Sequence, residues 1–396
     1  MLREDLTVAE ERKTKIIISK EKKISSKLPI FYNPKMKHNR DFSVMIISSM
    51  IKSIKKEKVL KIALPMCATG IRGLRIAKEI FSETEKNIPE TEIYLNDKNK
   101  KFNEIIKQEI DLNNLANTKN PKIIFSEKDA NKFMSDHRFD YIDIDPFGSP
   151  NPFLDTALRS IKPKGILAAT ATDTSDLCGT YPLACKRKYW SEPLRNYLMK
   201  EIGLRILIRK IQLLGFQYEL ALKPILSYSK DHYMKCFFYI DKKKKKCDDL
   251  IKQHSEISYN PKTMELKQKK ITEKEEITAG PIWTGRIIEK STIDFIEQYA
   301  KDNYKKDKAL IKFISLLKQD QESYDILKEK GSTNLAFYDT SIVCEKYKMI
   351  MPSLENLTKA LTEKGFIAKR THFNFSAIRG DFSLSELKKT ITKLNN

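Results

Sequence analysis

Five short apolar runs, VLKIALPM (59–66), TEIYLND (91–97), KIIFSEKDA (122–130), FDYIDIDPFG (139–148) and GILAATATD (165–173), alternate with stretches whose apolar residues recur at helical spacing. Apolar runs this short read as strands covered on both faces, and a helix between successive strands imposes βαβ crossovers. The expected fold class is α/β, a parallel sheet with helices on both faces. A long helical pattern, EPLRNYLMKEIGLRILIRKIQLLGF, then leads into YELALKPILSYSKDHYMKCFFYID, which reads as a closing pair of strands.

With 396 residues the chain exceeds what one core usually manages, so two domains are expected. The tract DKKKKKCDD (241–249) reads as a solvated loop and divides a first domain, 1–240, from a smaller basic one, 241–396. Helical stretches in the latter are expected around 286–300, 308–329 and 353–364. The 74 Lys and Arg against 52 Asp and Glu give a formal charge of +22, spread along the chain, which favours a polyanion such as nucleic acid. No apolar run approaches the roughly 18 residues that span a bilayer. MLREDLTVAEERKTK also places acids where a signal or transit peptide avoids them, so a cytoplasmic protein with no membrane partner is expected. The six cysteines lie far apart with no C-x-x-C pair, against both a zinc ribbon and a disulfide scaffold. The five histidines form no ligand pattern.

In open α/β sheets ligands bind beyond the carboxyl ends of the strands, so the residues that follow each strand carry the functional reading. After the first strand comes PMCATGIRG, where Gly70 and Gly73 fit a tight turn at a helix N-terminus. Their spacing matches neither G-x-G-x-x-G nor the phosphate-loop pattern, which disfavours a nicotinamide dehydrogenase. Asp97 ends the second strand, and its two oxygens match the vicinal hydroxyls of a ribose. Asp129 ends the third; it either accepts from an adenine amine, with Ala130 offering its backbone, or caps a helix. Two acids on successive strands beside a glycine turn point to an adenosine site.

The fourth strand ends in Asp145-Pro146-Phe147-Gly148. An exocyclic amine conjugated with a nucleobase has a delocalised, poorly nucleophilic lone pair. A carboxylate and a carbonyl that each accept one of its hydrogens align that lone pair on a methyl donor and stabilise the charge growing on nitrogen. Proline removes a competing donor, and Phe147 offers a face on which a base stacks. Asp145 is accordingly the expected acceptor in a methyl transfer to nitrogen. Asp143, of the same strand parity, is either a second participant or a sheet-end acid paired with a lysine. Cys67 has no histidine in a partner position, and direct transfer to nitrogen needs no thiol.

The stretches SSKLPIFYNPKMKHNRDFSV, ATGIRGLR, YLNDKN, KDAN, DIDPFGSP, GILAATATDT, GPIWTG and THF occur in an order that resembles the archaeal and eukaryotic tRNA (guanine-26-N2)-dimethyltransferases. The resemblance implies a Rossmann-like S-adenosylmethionine-dependent methyltransferase sheet, a smaller α+β C-terminal domain that binds tRNA, and N2-methyl- and N2,N2-dimethylguanosine as products. Position by position, it implies that Arg40 and Arg72 contact the cofactor, that Asp97 takes the ribose, and that Asp129 with Ala130 takes the adenine end. Asp145 is the catalytic acceptor, and Phe31 and Phe147 sandwich a flipped guanine. From the residues alone Phe31 is a plain anchoring aromatic; the resemblance promotes it. Family members often bind zinc through two C-x-x-C pairs in the C-terminal domain, whereas the matching region here has only Cys247, so no metal is expected. The sequence IRGDF after THFNF also departs from the pattern and weakens any tRNA contact assigned there. The residues alone leave open an amino methyltransferase acting on adenine in DNA or on protein glutamine, and a non-catalytic RNA-binding module. The resemblance favours tRNA and no DNA partner; a compact two-domain monomer is the default expectation.

Overall fold

The computed structural model describes residues 4–21, 30–54, 58–81, 88–268, 277–330 and 335–395. The leading part of SSKLPIFYNP therefore lies outside the described residues, and Phe31 within them. The chain divides into two compact units: Met1–Thr172 with Gln217–Leu222 and Phe237–Lys242, and Asp173–Phe216 with Lys223–Cys236 and Lys243–Asn396. Residues 173–216, grouped with the first domain by a division at 241, thus cluster with the C-terminal residues.

The first unit opens with an antiparallel hairpin, β1 (Leu6–Glu11) and β2 (Thr14–Ser19). A single 3-10 turn (Pro34–Met36) leads into α1 (Lys37–Ser53). Then follow β3 (Leu60–Leu64), α2 (Ile71–Ile80), β4 (Thr91–Asn96), α3 (Phe102–Leu112), β5 (Lys122–Ser126), α4 (Ala130–Ser135), β6 (Phe139–Ile144), α5 (Asn151–Ser160) and β7 (Ile161–Ala171). The expected alternation is present, and β5-β4-β3-β6-β7 pair in parallel. Beyond β7 the sheet continues with β9 (Tyr233–Asp241) and then β8 (Ala221–Lys230), seven strands in all. Every residue of β6 is buried, as a strand with helices on both sides requires. The sheet order reverses at β3, which has β4 on one side and β6 on the other, so a crevice opens between the carboxyl ends of β3 and β6.

The third apolar run is a strand only to Ser126, because Asp129 begins a helix instead of ending a strand. In the second unit α6 (Thr174–Leu177) and α7 (Pro182–Tyr189) precede α8 (Met199–Phe216). That long helix starts seven residues later than the apolar pattern, since Glu192 is engaged in a bridge with Gly280, and the Asn196 side chain accepts from Leu198 N at 2.8 Å just before the first turn. The lysine tract is not a loop: α9 (Lys244–Ile251) runs through it, its lysines exposed and Cys247 buried. Lysine is a good helix former, and a helix lets the charged tails splay into water.

The remainder is β10 (His254–Asn260), β11 (Glu265–Gln268), β12 (Ile277–Trp283), α10 (Lys290–Asn303), α11 (Lys308–Glu329), β13 (Tyr338–Asp339), α12 (Thr340–Tyr347), α13 (Leu354–Glu363), β14 (Ala368–Arg370), β15 (Ala377–Gly380) and α14 (Leu384–Asn395). Two three-stranded antiparallel sheets, β11-β10-β12 and β13-β15-β14, form here. A core of Val343, Leu357, Leu361, Ile378, Leu387 and Ile391 packs between the second sheet and its helices.

Candidate active site

A cavity of about 460 Å³ lies at the reversal of the sheet, within the size range of small-molecule sites. The turns that follow β3, β4, β5 and β6 all contribute to its walls, and Phe31, Arg40, Arg72, Asp97, Asp129, Ala130, Asp145 and Phe147 all line it. Every residue singled out from the sequence as a site residue is thus brought to one place.

The turn after β3 owes its shape to two glycines. Gly70 caps α2 with φ +69°, and a Cβ there would stand 2.3 Å from Ile106 Cδ1. At Gly73 a Cβ would meet Leu95 Cδ2 at 2.2 Å, so this glycine lets α2 lie against the sheet. Cys67 in the same turn is buried and donates through Sγ to the Asn96 carbonyl at 3.1 Å. Burial, with the nearby Asp97 charge, pushes its thiol well above the ordinary range, so it stays protonated.

Asp97 stands just past β4. Its Oδ2 accepts from Ala68 N at 2.8 Å and its Oδ1 from Asn99 N at 3.0 Å, so each oxygen keeps lone-pair capacity for a further donor. Sequence reading missed Asn96, which ties three strand ends together. Its amide donates to the Pro65 and Lys128 carbonyls, both at 2.9 Å, and its oxygen accepts from Ser126 Oγ at 2.7 Å. Asp129 is the N-cap of α4: Oδ1 accepts from Asn131 N at 3.0 Å and Lys132 N at 3.2 Å. The capping alternative is therefore realised, while Oδ2 takes no part in the cap. Buried Ala130 is the first residue of the helix, whose opening N–H groups have no partner within it.

Past β6 the chain turns sharply. Gly148, at φ +87°, donates through N to Thr172 Oγ1 at 2.7 Å, and Thr172 N returns a bond to the Gly148 carbonyl at 2.9 Å. This clamp fixes the turn to the end of β7. Pro146 is buried, and its carbonyl accepts no hydrogen bond among the described residues. Phe147 is 62% exposed and touches Phe31 edge to face, ring centroids 4.5 Å apart and planes at 86°.

Asp145 accepts from Arg72 Nη2. Arg72 Nη1 donates to Asn39 Oδ1 at 2.8 Å and Ser43 Oγ at 2.6 Å, and lies 3.2 Å from Asp143 Oδ2. Asp143 is buried and also accepts from Ser43 Oγ and Tyr141 Oη, both at 2.9 Å. Burial and the Asp143 charge raise the Tyr141 phenol well above its usual range, so it remains a donor. Asp143, two residues back along β6, thus pairs with an arginine on α2.

Arg40, on α1, is buried and engaged by Glu11 of the hairpin: Nε donates to Oε1 at 2.8 Å, and Nη2 also donates to the Asn33 carbonyl at 3.0 Å. Glu11 further accepts from Arg75 at 2.8 Å and Tyr32 Oη at 2.9 Å, while Asp41 binds Arg75 and Arg12, each at 2.6 Å. Burial alone would raise the Glu11 carboxyl, but hydrogen bonding and charge from Arg40 and charge from Arg75 outweigh it and hold it at about 2. A depressed folded-state pKa stabilises above the unfolded value, and that stability is lost as pH falls through the folded one. Glu11→Ala is expected to lower unfolding free energy by about 3 kcal/mol at neutral pH. The deficit should shrink between about pH 4.5 and about 2, as read by urea unfolding across that window.

The C-terminal motifs converge elsewhere, inside the second unit. Buried Arg379 of IRGDF donates to Glu201 Oε2 at 2.8 Å and to Asp320 Oδ1 at 3.2 Å. Arg205 bonds Glu201 at 3.0 Å and the carbonyls of Trp283 at 3.1 Å and Gly285 at 2.9 Å, both from GPIWTG. From THF, Thr371 Oγ1 donates to Asp320 at 2.9 Å, His372 Nδ1 lies on Asp320, and His372 Nε2 accepts from Ser229 N at 3.3 Å. Burial would raise Asp320, but Arg379 and His372 hold it at about 2. These residues form an internal ionic cluster.

A family model described as N2,N2-dimethylguanosine tRNA methyltransferase matches residues 10–392. The tRNA (guanine(26)-N(2))-dimethyltransferase of Pyrococcus horikoshii is 35% identical over 409 aligned residues, covering 100% of both chains. The tRNA (guanine(26)-N(2)/guanine(27)-N(2))-dimethyltransferase of Aquifex aeolicus is 34% identical over 403, covering 98% of this chain and 96% of its own. The solved structure of Trm1 from Pyrococcus horikoshii in complex with S-adenosyl-L-methionine superposes with a TM-score of 0.81 at 32% identity, over 98% of this chain and 100% of that one. Matched almost from end to end in sequence and in fold, the chain belongs to the N2,N2-dimethylguanosine tRNA methyltransferase family.

Proposed function

We propose that this protein methylates the exocyclic N2 amine of guanosine 26 in tRNA, giving N2-methyl- and N2,N2-dimethylguanosine, with S-adenosylmethionine as cofactor. The observation that carries the reading is that Asp145, Pro146 and Phe147 open into the same cavity as Asp97 and Asp129. When bound, the cofactor supplies an activated methyl group on a sulfonium. A cavity walled by Asp97, Asp129, Asp143 and Asp145 suits a ligand of that positive charge. Asp97 takes the ribose hydroxyls, Asp129 Oδ2 and the Ala130 N–H take the adenine edge, and Arg40 and Arg72 serve the carboxylate end.

Asp145 and the Pro146 carbonyl each accept a hydrogen of the target amine, aim its lone pair at the methyl group, and stabilise the positive charge that nitrogen acquires. Phe31 and Phe147 receive the base between them. Their centroids stand 4.5 Å apart, and a base held between them needs about 7 Å, two van der Waals contacts. The +22 charge serves the phosphate backbone of tRNA. The affinity for tRNA is expected to fall about 10³-fold between roughly 50 and 200 mM salt. A flat profile in filter binding would remove the electrostatic argument.

We further read the protein as a cytoplasmic monomer; among the described residues no helix is long and apolar enough to cross a membrane. The deciding experiment is nucleoside mass spectrometry on a tRNA transcript and on one whose guanosine 26 is replaced by adenosine. Methylguanosine should form in the first and not in the second; equal yields overturn the position assigned.

A further inference from the structure

Among the described residues three cationic side chains line the cavity, and they are not equivalent. Lys98 is exposed at its rim. Arg40 is committed to Glu11 and the Asn33 carbonyl, away from Asp145. Arg72 is anchored on one side by Asn39, Ser43 and Asp143, and on the other holds Asp145. The carboxylate assigned to the target amine is therefore ion-paired, and the oxygen held by the guanidinium has less capacity to accept a further hydrogen bond than an unpaired one.

Asp143 and Asp145 already place two negative charges on one guanidinium. A third carboxylate brought to Arg72 by a ligand would face like-charge repulsion unless one of the two leaves. Asp143 is fixed: it is buried and held by Tyr141 and Ser43 as well. Asp145 stands at the cavity wall, its side chain 16% exposed, and is the one placed to move.

We propose that Arg72 exchanges partners, the carboxylate of the methyl donor's amino-acid end displacing Asp145, so that the acceptor becomes competent only once the donor is seated. Asp143, through Ser43 and Tyr141, is a positioning residue that keeps Arg72 in place through the exchange. The inference rests on the reading of the cavity as an S-adenosylmethionine site. Its consequence is an order of events: donor first, base second.

Calorimetric titration of the full-length protein and its Asp145→Asn variant with two ligands tests it. S-adenosylhomocysteine keeps the carboxylate and lacks the sulfonium, so its affinity is free of any attraction between Asp145 and charged sulfur. 5′-Methylthioadenosine lacks the amino-acid end altogether. Removing the competing charge should tighten S-adenosylhomocysteine about tenfold and leave 5′-methylthioadenosine unchanged. Unchanged or weaker S-adenosylhomocysteine binding in the variant would mean a permanent ion pair and overturns the exchange. Equal tightening of both ligands overturns it too, because the gain would not depend on the carboxylate. Should Asp145→Asn not fold, Asp145→Ser carries the same comparison. Failure of the unaltered protein to bind either ligand refutes the cofactor reading itself, a separate result.

Discussion

Methyl transfer to a tRNA transcript is expected to fall about 10³-fold in the Asp145→Ala variant. Two groups are placed to accept hydrogens from the amine, and the variant keeps only the Pro146 carbonyl, which is neutral. The loss falls on the step in which nitrogen becomes positive, so kcat should carry it, while KM for tRNA moves little. Asp145→Asn restores an acceptor oxygen without its charge and should recover a small part of the rate. Asp143→Asn acts only through Arg72 and should lose less than Asp145→Ala. Single-turnover methylation with radiolabelled donor reads all three. A rate for Asp145→Ala within tenfold of the unaltered protein would remove Asp145 from the role assigned.

Arg379→Met is expected to destabilise the second unit by about 5 kcal/mol, enough to unfold many domains. Methionine fills a similar length but leaves Glu201 and Asp320 buried without the guanidinium they share. Both acids lie almost wholly inside the protein, where an uncompensated charge is far more costly than a lost surface pair. The pH dependence gives the signature. In the unaltered protein Asp320 sits at about 2, so its contribution to stability is present above the ordinary carboxylate value and is lost as pH falls through about 2. In the variant, burial without the Arg379 cation raises Asp320, and protonation relieves it, so the deficit should narrow on acidification from neutral pH. Denaturant unfolding at pH 7 and pH 5 measures this; a deficit that is the same at both would show that packing, not charge, is what Arg379 supplies.

The βαβ frame is legible in the sequence because buried parallel strands are short segments rich in apolar residues, and LKIAL of β3, TEIYLN of β4 and FDYIDI of β6 lack the helical spacing of the stretches around them. The residues at the strand ends that line the cavity are legible for the same reason, since the fold delivers whatever follows the strand. Less visible are partners distant in sequence. Nothing in Glu11 announces that it neutralises Arg40, because the hairpin that carries it is short and half polar. Arg72 reads as a ligand contact, yet its bond to Asp145 arises from the approach of α2 to the end of β6. Asp129 shows the limit of pattern alone: one carboxylate serves a helix cap and faces a cavity. The lysine tract misleads because charge predicts exposure but not backbone conformation.

The contact between Phe31 and Phe147 sets a threshold for entry. Separating an edge-to-face pair forfeits about 0.5–1.5 kcal/mol, which an incoming base must replace through its own two faces. A purine offers more area to both rings than a pyrimidine does. The pair thus favours a purine over a pyrimidine before any hydrogen bond from an amine to Asp145 or the Pro146 carbonyl is made.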